Sequence, residues 1–214
     1  MEATADRLAG RFIVLDGPDG SGKSTQLRLL AEHLAGRGAA VLTTRDPGGT
    51  AIGEKVRRIL LDASHGEMAV GCEVMLYMAS RAQLFAEVIA PALREGRCVL
   101  CDRWVSATFA YQGAGGVSAE AVRLAYRAAL GEVWPDLTMI LDLPAEAGLR
   151  RLKGAPDRVE GKDPAYHRRV RELFLQWARG QADRCAVVDG AGEVEQVQAR
   201  LQETLAKWPF APRT

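Results

Sequence analysis

An α/β fold, three layers deep with a five-stranded parallel sheet in the middle, is what the sequence predicts, and three observations carry that prediction. Short apolar runs of strand length alternate with longer segments whose apolar residues recur every three or four positions, the pattern of βαβ units around a parallel sheet. The first apolar run leads straight into a glycine-rich turn and then a helix. No repeat, linker or compositional break divides residues 1–214, and 48% hydrophobic with 26% charged residues suits one domain with a substantial core.

The first element is the run at 12–16, Phe-Ile-Val-Leu-Asp, apolar and β-branched enough for a buried strand. Gly17-Pro18-Asp19-Gly20-Ser21-Gly22-Lys23-Ser24 follows it and fits G-x-x-x-x-G-K-[ST], with Thr25 next in line. Strand, glycine-rich turn and helix in that order make a phosphate-binding loop. The glycines let successive N–H groups face one anion, and the positive end of the helix points at the same place. Residues 17–25 are the expected nucleotide-binding segment, with Lys23 reaching the β- and γ-phosphates and the Ser24 hydroxyl a ligand for Mg²⁺.

A helix is predicted over 24–37, with Leu27, Leu30, Ala31 and Leu34 at helical spacing and Gly36 and Gly38 ending it. A second strand at 40–44 closes on Arg45-Asp46-Pro47-Gly48-Gly49-Thr50, where proline and glycines force a loop. Residues 51–61 form a helix with Ile52, Val56, Ile59 and Leu60 on one face. Residues 67–94 are mostly helical with a break near Pro91, and Tyr77 and Arg81 stand one turn apart there, projecting the same way. The third strand, 98–101, runs into Asp102-Arg103-Trp104. The segment 106–116 holds Ser106, Tyr111, Gln112 and three glycines and reads as mobile or ligand-hugging, ahead of a helix at 118–130. A fourth strand follows at 137–143 and a helix starts at 144. The polar, Gly- and Pro-containing stretch after it, within about 150–161, has the composition of a surface lid. A helix at 163–184, a short strand at 186–188 and a final helix at 193–207 complete the pattern, with loose ends expected before Leu8 and after Pro209.

A formal net charge of +1 excludes a large nucleic-acid surface, which needs a clear basic excess. No apolar stretch has the length to span a bilayer, and residues 1–11 carry charges where a signal peptide needs an apolar centre, so a cytoplasmic location is expected. Cys98 and Cys101 match C-x-x-C, but strand positions three apart point to opposite faces, which disfavours a shared metal or a disulfide. Cys72 and Cys185 stand alone, and His33, His65 and His167 show no ligand spacing.

A phosphate loop anchors a nucleotide without choosing a reaction. Ligands of open parallel sheets bind at the carboxyl edge, so Arg45 with Asp46 and Asp102 with Arg103 are expected around the crevice that the loop opens, with Arg151, Lys153 and Arg158 offered by the lid. Those cations suffice to hold a donor triphosphate and a second phosphate in line for phosphoryl transfer. Taken in order, the phosphate loop with Asp19, Thr44-Arg45-Asp46-Pro47-Gly48-Gly49-Thr50, Tyr77 with Arg81, Asp102-Arg103, Ala110-Tyr111-Gln112-Gly113 and Asp157-Arg158-Val159-Glu160 make the chain resemble the thymidylate kinases from Arg11 to about Lys207.

The resemblance implies an ATP:dTMP phosphotransferase that uses Mg²⁺ and yields dTDP and ADP for dTTP synthesis. Carried residue by residue, it implies that Arg45 and Arg103 grip the dTMP phosphate, and that Asp19 accepts from the sugar 3′-hydroxyl or organises the acceptor side. Tyr77 would stack on thymine, Arg81 would bond its carbonyl edge, Tyr111 would crowd the 2′ position, and Ser106 and Gln112 belong to the same acceptor set. Asp102 would hold Mg²⁺ through water or position the acceptor, and Glu160 would steady the acceptor from the lid. Some relatives carry an arginine within the loop where this chain has Gly20, which leaves Arg151 or Arg158 as the catalytic arginine, in the bacterial manner. Asp46 stands where many bacterial relatives have glutamate. The resemblance also suggests a homodimer, through the apolar helices around Met75 and Ala121. Two alternatives stay open: another pyrimidine monophosphate as acceptor, since one methyl group discriminates by only about 1–3 kcal/mol, and a nucleotide-binding regulatory protein without transfer activity.

Overall fold

A computed structural model describes residues 2–152 and 154–211. Five parallel strands, β1 Phe12–Asp16, β2 Val41–Arg45, β3 Cys98–Asp102, β4 Leu137–Asp142 and β5 Cys185–Asp189, lie in the order β2-β3-β1-β4-β5. Each strand ends on a charged residue, and the register aligns those ends: Arg45 pairs with Asp102, Leu15 with Asp102, Asp16 with Ile140, and Asp142 with Asp189. The first half of the chain builds the sheet to one side of β1 and the second half to the other. At that change of direction a crevice opens beyond the carboxyl ends.

Alternation along the strands sorts apolar side chains to two faces. Ile13, Leu15, Cys98, Leu100, Met139 and Leu141 pack beneath Leu27, Leu30 and Leu34 of α2 (Lys23–Ala35) and Leu201 and Leu205 of α10 (Val194–Lys207). On the opposite face Phe12, Val14, Val99 and Cys101 pack against Val74 and Met78 of α4 (Val70–Leu84), Val105 and Phe109 of α6 (Val105–Ala114), and Val122 and Tyr126 of α7 (Ala119–Leu130). Cys98 and Cys101 thus enter different core clusters. A third cluster joins Ile140 and Tyr111 to Val170 and Phe174 of α9 (Pro164–Arg179). The remaining helices are α1 (Glu2–Leu8), α3 (Ala51–Leu61), α5 (Ala90–Arg94) and the short α8 (Ala145–Leu149).

Three expectations change. Residues 106–116 are not a mobile segment but the body of α6, buried from Val105 to Gln112, because the glycines fall at its end and the small Ala107 and Ala110 let it close on α9. Pro91 does not break its helix. The chain widens into a π-turn over Phe85–Ile89, which relieves the clash between the Pro91 ring and the carbonyl four residues back, and Pro91 falls in the first turn of α5. Near the ends the described residues are fastened rather than loose, while Met1 and residues 212–214 lie outside the described residues. Leu8 is in the core, Arg7 donates to the Leu205 and Ala206 carbonyls at the end of α10, and Arg7 and Arg11 lie 5.3 and 4.9 Å from the Phe210 ring.

The buried Trp104 indole donates to the Tyr126 hydroxyl at 2.9 Å, and that hydroxyl donates to the Val133 carbonyl. Tyr126→Phe should therefore destabilise the fold by about 1–3 kcal/mol, because a buried N–H loses its acceptor. Chemical denaturation giving an unchanged midpoint would contradict this.

Candidate active site

The phosphate loop takes its shape from the sequence. Gly17 at φ 138° and Gly20 at φ 70° occupy backbone conformations that other residues avoid, and a Cβ at Gly17 would overlap the Leu141 carbonyl at the end of β4. Lys23 folds back over the loop and donates to Gly17 O at 3.0 Å and Pro18 O at 2.8 Å. Burial, then the nearby Arg103 charge, lowers its pKa to about 8 against the pull of Asp19, Asp102 and Asp16. The Ser24 hydroxyl donates to Asp102 Oδ2 at 2.7 Å, which sets a hydroxyl and a carboxylate oxygen side by side in the cavity lining described next.

Arg103 is the single non-glycine at positive φ (71°) among the described residues. Its N–H donates to Leu15 O at 3.0 Å, and the left-handed turn sends its side chain back across the end of β1. There the guanidinium donates to Gly17 O at 3.0 Å, Asp16 Oδ1 at 3.3 Å, the Tyr111 hydroxyl at 3.3 Å and the Asp19 carboxylate, while lying 5.0 Å from the Tyr111 ring. Burial tends to raise the Asp19 carboxyl, but Arg103 and Lys23 outweigh it and hold it below the usual range. Asp16 is buried completely, and that burial raises it despite Arg103 and the Ser106 hydroxyl, which donates at 2.6 Å. Ser106 is thus turned to Asp16, outside the cavity lining.

A cavity of about 790 Å³ runs from the loop to the far side of β3. The loop residues from Asp19 to Thr25 line it, whereas Gly17 and Pro18 lie behind them. Arg45, Tyr77, Arg81, Asp102, Arg103, Tyr111, Gln112, Arg151 and Glu160 also line it. Arg45 is exposed and held by Glu54 at 3.0 Å. Arg81 is fully buried, and its expected need for a partner is met from within the protein. Nε and Nη2 both donate to Asp46 Oδ2, at 2.8 and 2.5 Å, and Nη2 also reaches Thr108 Oγ1 at 3.2 Å. At this end two buried polar atoms lack partners, Asp46 Oδ1 and Gln112 Nε2. Both residues face the cavity, so a ligand or water has an acceptor and a donor to satisfy.

The lid separates its two arginines. Arg151 lines the cavity mouth. Arg158 does not; Nε donates to Leu60 O at 2.8 Å, and Nη2 pairs with the buried Glu73 of α4. Asp157 Oδ1 accepts from the N–H groups of Val159 and Glu160 at 2.8 and 2.9 Å, which folds this part of the lid into a turn. Lys153 lies outside the described residues.

Several lining residues have no expectation attached. Arg57 of α3 lines the cavity with Arg45 and Arg103, donating to Pro47 O at 3.1 Å. Gly190, Gly192 and Glu193, in the loop leaving β5, and Val194, the first residue of α10, wall the side nearest Gln26 and the phosphate loop. The glycines after the last strand were the available signal, because that loop also leaves a carboxyl edge. Arg57 sits in an ordinary amphipathic helix and gave none.

The thymidylate kinase family model matches residues 15–201. A thymidylate kinase of Pseudomonas putida is 44% identical over 201 residues, spanning 92% of this chain and 96% of that protein. One from Alcanivorax borkumensis is 41% identical over 208 residues, spanning 94% of this chain and all of the relative. The crystal structure of thymidylate kinase from Ehrlichia chaffeensis superposes with a TM-score of 0.77 at 29% identity, covering 92% of this chain and 99% of the other. By its sequence, its sheet and its phosphate loop, the chain belongs to the thymidylate kinase family.

Proposed function

We propose that the chain transfers the γ-phosphoryl group of ATP to dTMP, giving dTDP and ADP for dTTP synthesis. One observation carries the reading: a single cavity has the phosphate loop at one end, Arg45 and Arg57 beside a wall of Tyr77, Arg81, Tyr111 and Gln112 at the other, and Arg103 reaching between them. Two nucleotides held there meet phosphate to phosphate. An acceptor phosphate oxygen attacks the γ-phosphorus, the bond to the β–γ bridging oxygen breaks, and ADP leaves.

The chain's own groups divide that work. Loop N–H groups and Lys23 hold the donor phosphates, with Lys23 exchanging its loop carbonyls for phosphate oxygens. Arg45, Arg57 and Arg103 hold the acceptor phosphate, and Tyr77 and the Arg81–Gln112 pair hold the base. Asp19, kept ionised by Arg103, faces the acceptor sugar. Arg151 brings a guanidinium to the transferring group from the mouth of the cavity, where transition-state charge is greatest. Hydroxyl and carboxylate oxygens suit a hard cation, so Ser24 and Asp102 would hold Mg²⁺, which when bound supplies charge neutralisation on the β- and γ-phosphates. The same reading treats residues 150–161 as the lid of one domain. It places the protein in the cytoplasm, in keeping with four free thiols. It makes the protein a homodimer through the face where Met75 of α4 and Leu124 of α7 are 60% and 57% exposed.

A coupled assay of ADP release with ATP, Mg²⁺ and a panel of nucleoside monophosphates tests the reaction: dTMP should turn over fastest, with dUMP slower. No dTMP-dependent ADP would end the proposal. Arg151→Ala should lower kcat by up to about 10³-fold. Arg158→Ala should instead act on stability, by about 3–5 kcal/mol, because it strands the buried Glu73 carboxylate. Thermal melting beside kinetics separates the two, and an Arg158 variant that melts normally but turns over slowly would reverse the assignment.

Lys23 sets a pH dependence. In the free protein its ammonium is lost above about pH 8. Phosphate oxygens favour the charged form, so between about 8 and the ordinary lysine value binding takes up a proton, and nucleotide affinity falls as pH rises through that window. Calorimetry at pH 8.5 in buffers of unequal ionisation heat should give different apparent enthalpies; equal ones would count against it. For the dimer, Met75→Glu with Leu124→Glu should shift sedimentation to the monomer, and an unchanged species would move the interface elsewhere.

A further inference from the structure

The phosphate loop and the root of the lid meet backbone to backbone. A Cβ at Gly20 would overlap the Gly148 carbonyl and stand 2.8 Å from the Gly148 Cα, and a Cβ at Gly148 would overlap the Asp19 carbonyl. Each glycine is bare because the other is there. Gly148 is buried in α8, the short helix between β4 and the lid, and its carbonyl accepts from the Arg151 N–H at 2.9 Å. One peptide group therefore touches the loop on one side and fixes the backbone of the lid arginine on the other.

We infer that Gly148 is a positioning residue for phosphoryl transfer: its bare backbone seats α8 on the Asp19–Gly20 peptide and so sets where Arg151 stands over the phosphate loop. The inference rests on the role given above to Arg151. It also accounts for the division of labour between loop and lid. With Gly148 packed against it, position 20 has no room for a side chain, so a guanidinium for the transferring phosphoryl group has to come from beyond α8. The contact holds the lid root at the right height for that, since a methyl group at 148 would lift α8, and Arg151 with it, from the loop.

The test compares wild type, Gly148→Ala, Arg151→Ala and the double variant in kcat and both KM values. Alanine is a better helix former than glycine, so α8 itself is not weakened by the change. Gly148→Ala should lower kcat by about 10²-fold with both KM values within about twofold, and the double variant should be no slower than Arg151→Ala alone. Normal kcat in Gly148→Ala beside a slow Arg151→Ala overturns the inference and leaves the role of Arg151 standing. Normal kcat in Arg151→Ala removes that role and the inference with it. Losses that multiply in the double variant, or a raised KM for ATP with kcat kept, show Gly148 acting on the loop alone and also overturn it. If Gly148→Ala does not fold, one glycine inserted between Leu149 and Arg150 keeps the contact but slips Arg151 by a residue. A loss matching Arg151→Ala with ATP affinity retained then supports the inference, and wild-type turnover defeats it.

Discussion

The Arg103 guanidinium is the interaction on which the rest of the site depends. It ties the end of β1, through Asp16 and the Gly17 carbonyl, to Asp19 in the loop and Tyr111 on α6. Three separate segments thereby share one cation. Reaching them requires the left-handed backbone at position 103, a conformation that costs about 1–2 kcal/mol for a residue with a Cβ. The buried charges around it explain why that conformation persists. Asp16 and Asp19 on one side, with Arg103 and Lys23 on the other, balance within the crevice, and an isolated member of the set would face a desolvation cost of several kcal/mol. Strain at Arg103 is thus held in place by electrostatics.

A second buried pair does for the far side of the cavity what Arg103 does beside the phosphate loop. Asp46 receives Arg81 through one carboxylate oxygen, Arg81 lies 5.3 Å from the Trp104 ring, and Trp104 is fixed by Tyr126. The loop after β2, α4, the turn between β3 and α6, and α7 are joined in one chain of contacts. Asp46 directly follows β2 just as Arg103 follows β3, and both pairs begin where the sheet stops. The order of strands therefore sets the spacing between the two buried pairs.

How much of this the sequence could reveal depends on the range of the interaction. The phosphate loop and the strand-end residues were legible because their chemistry is local: a glycine spacing, a strand run, a charge at a carboxyl edge. Arg158 was not, since its partners Leu60 and Glu73 lie more than eighty residues away in the chain. Ser106 was misplaced for a related reason. Its neighbours at 107 and 108 face the cavity, and helical phase turns 106 toward Asp16 instead. The glycines of 106–116 suggested mobility, but at a helix end they terminate structure rather than loosen it. For Arg81 the sequence offered only the base edge as a partner, and the structure adds one within the protein: Asp46, thirty-five residues away in the chain, takes two of its N–H groups.

The two ends of the cavity are prepared to different degrees, and this asymmetry follows from which groups carry the charge. On the side toward β3 and α4 Arg103 and Arg81 are locked by carboxylates, so the protein's own ion pairs hold the shape there. At the donor end Lys23 rests on carbonyls of its own loop, neutral acceptors that a polyphosphate readily displaces. One side is consequently built by ion pairs between distant elements, whereas the phosphate loop keeps its cation on its own carbonyls. The lid arginine differs from both: Arg151 is exposed, lines the same cavity and is tied by its backbone N–H to the Gly148 carbonyl, so its place follows from the backbone of the lid root.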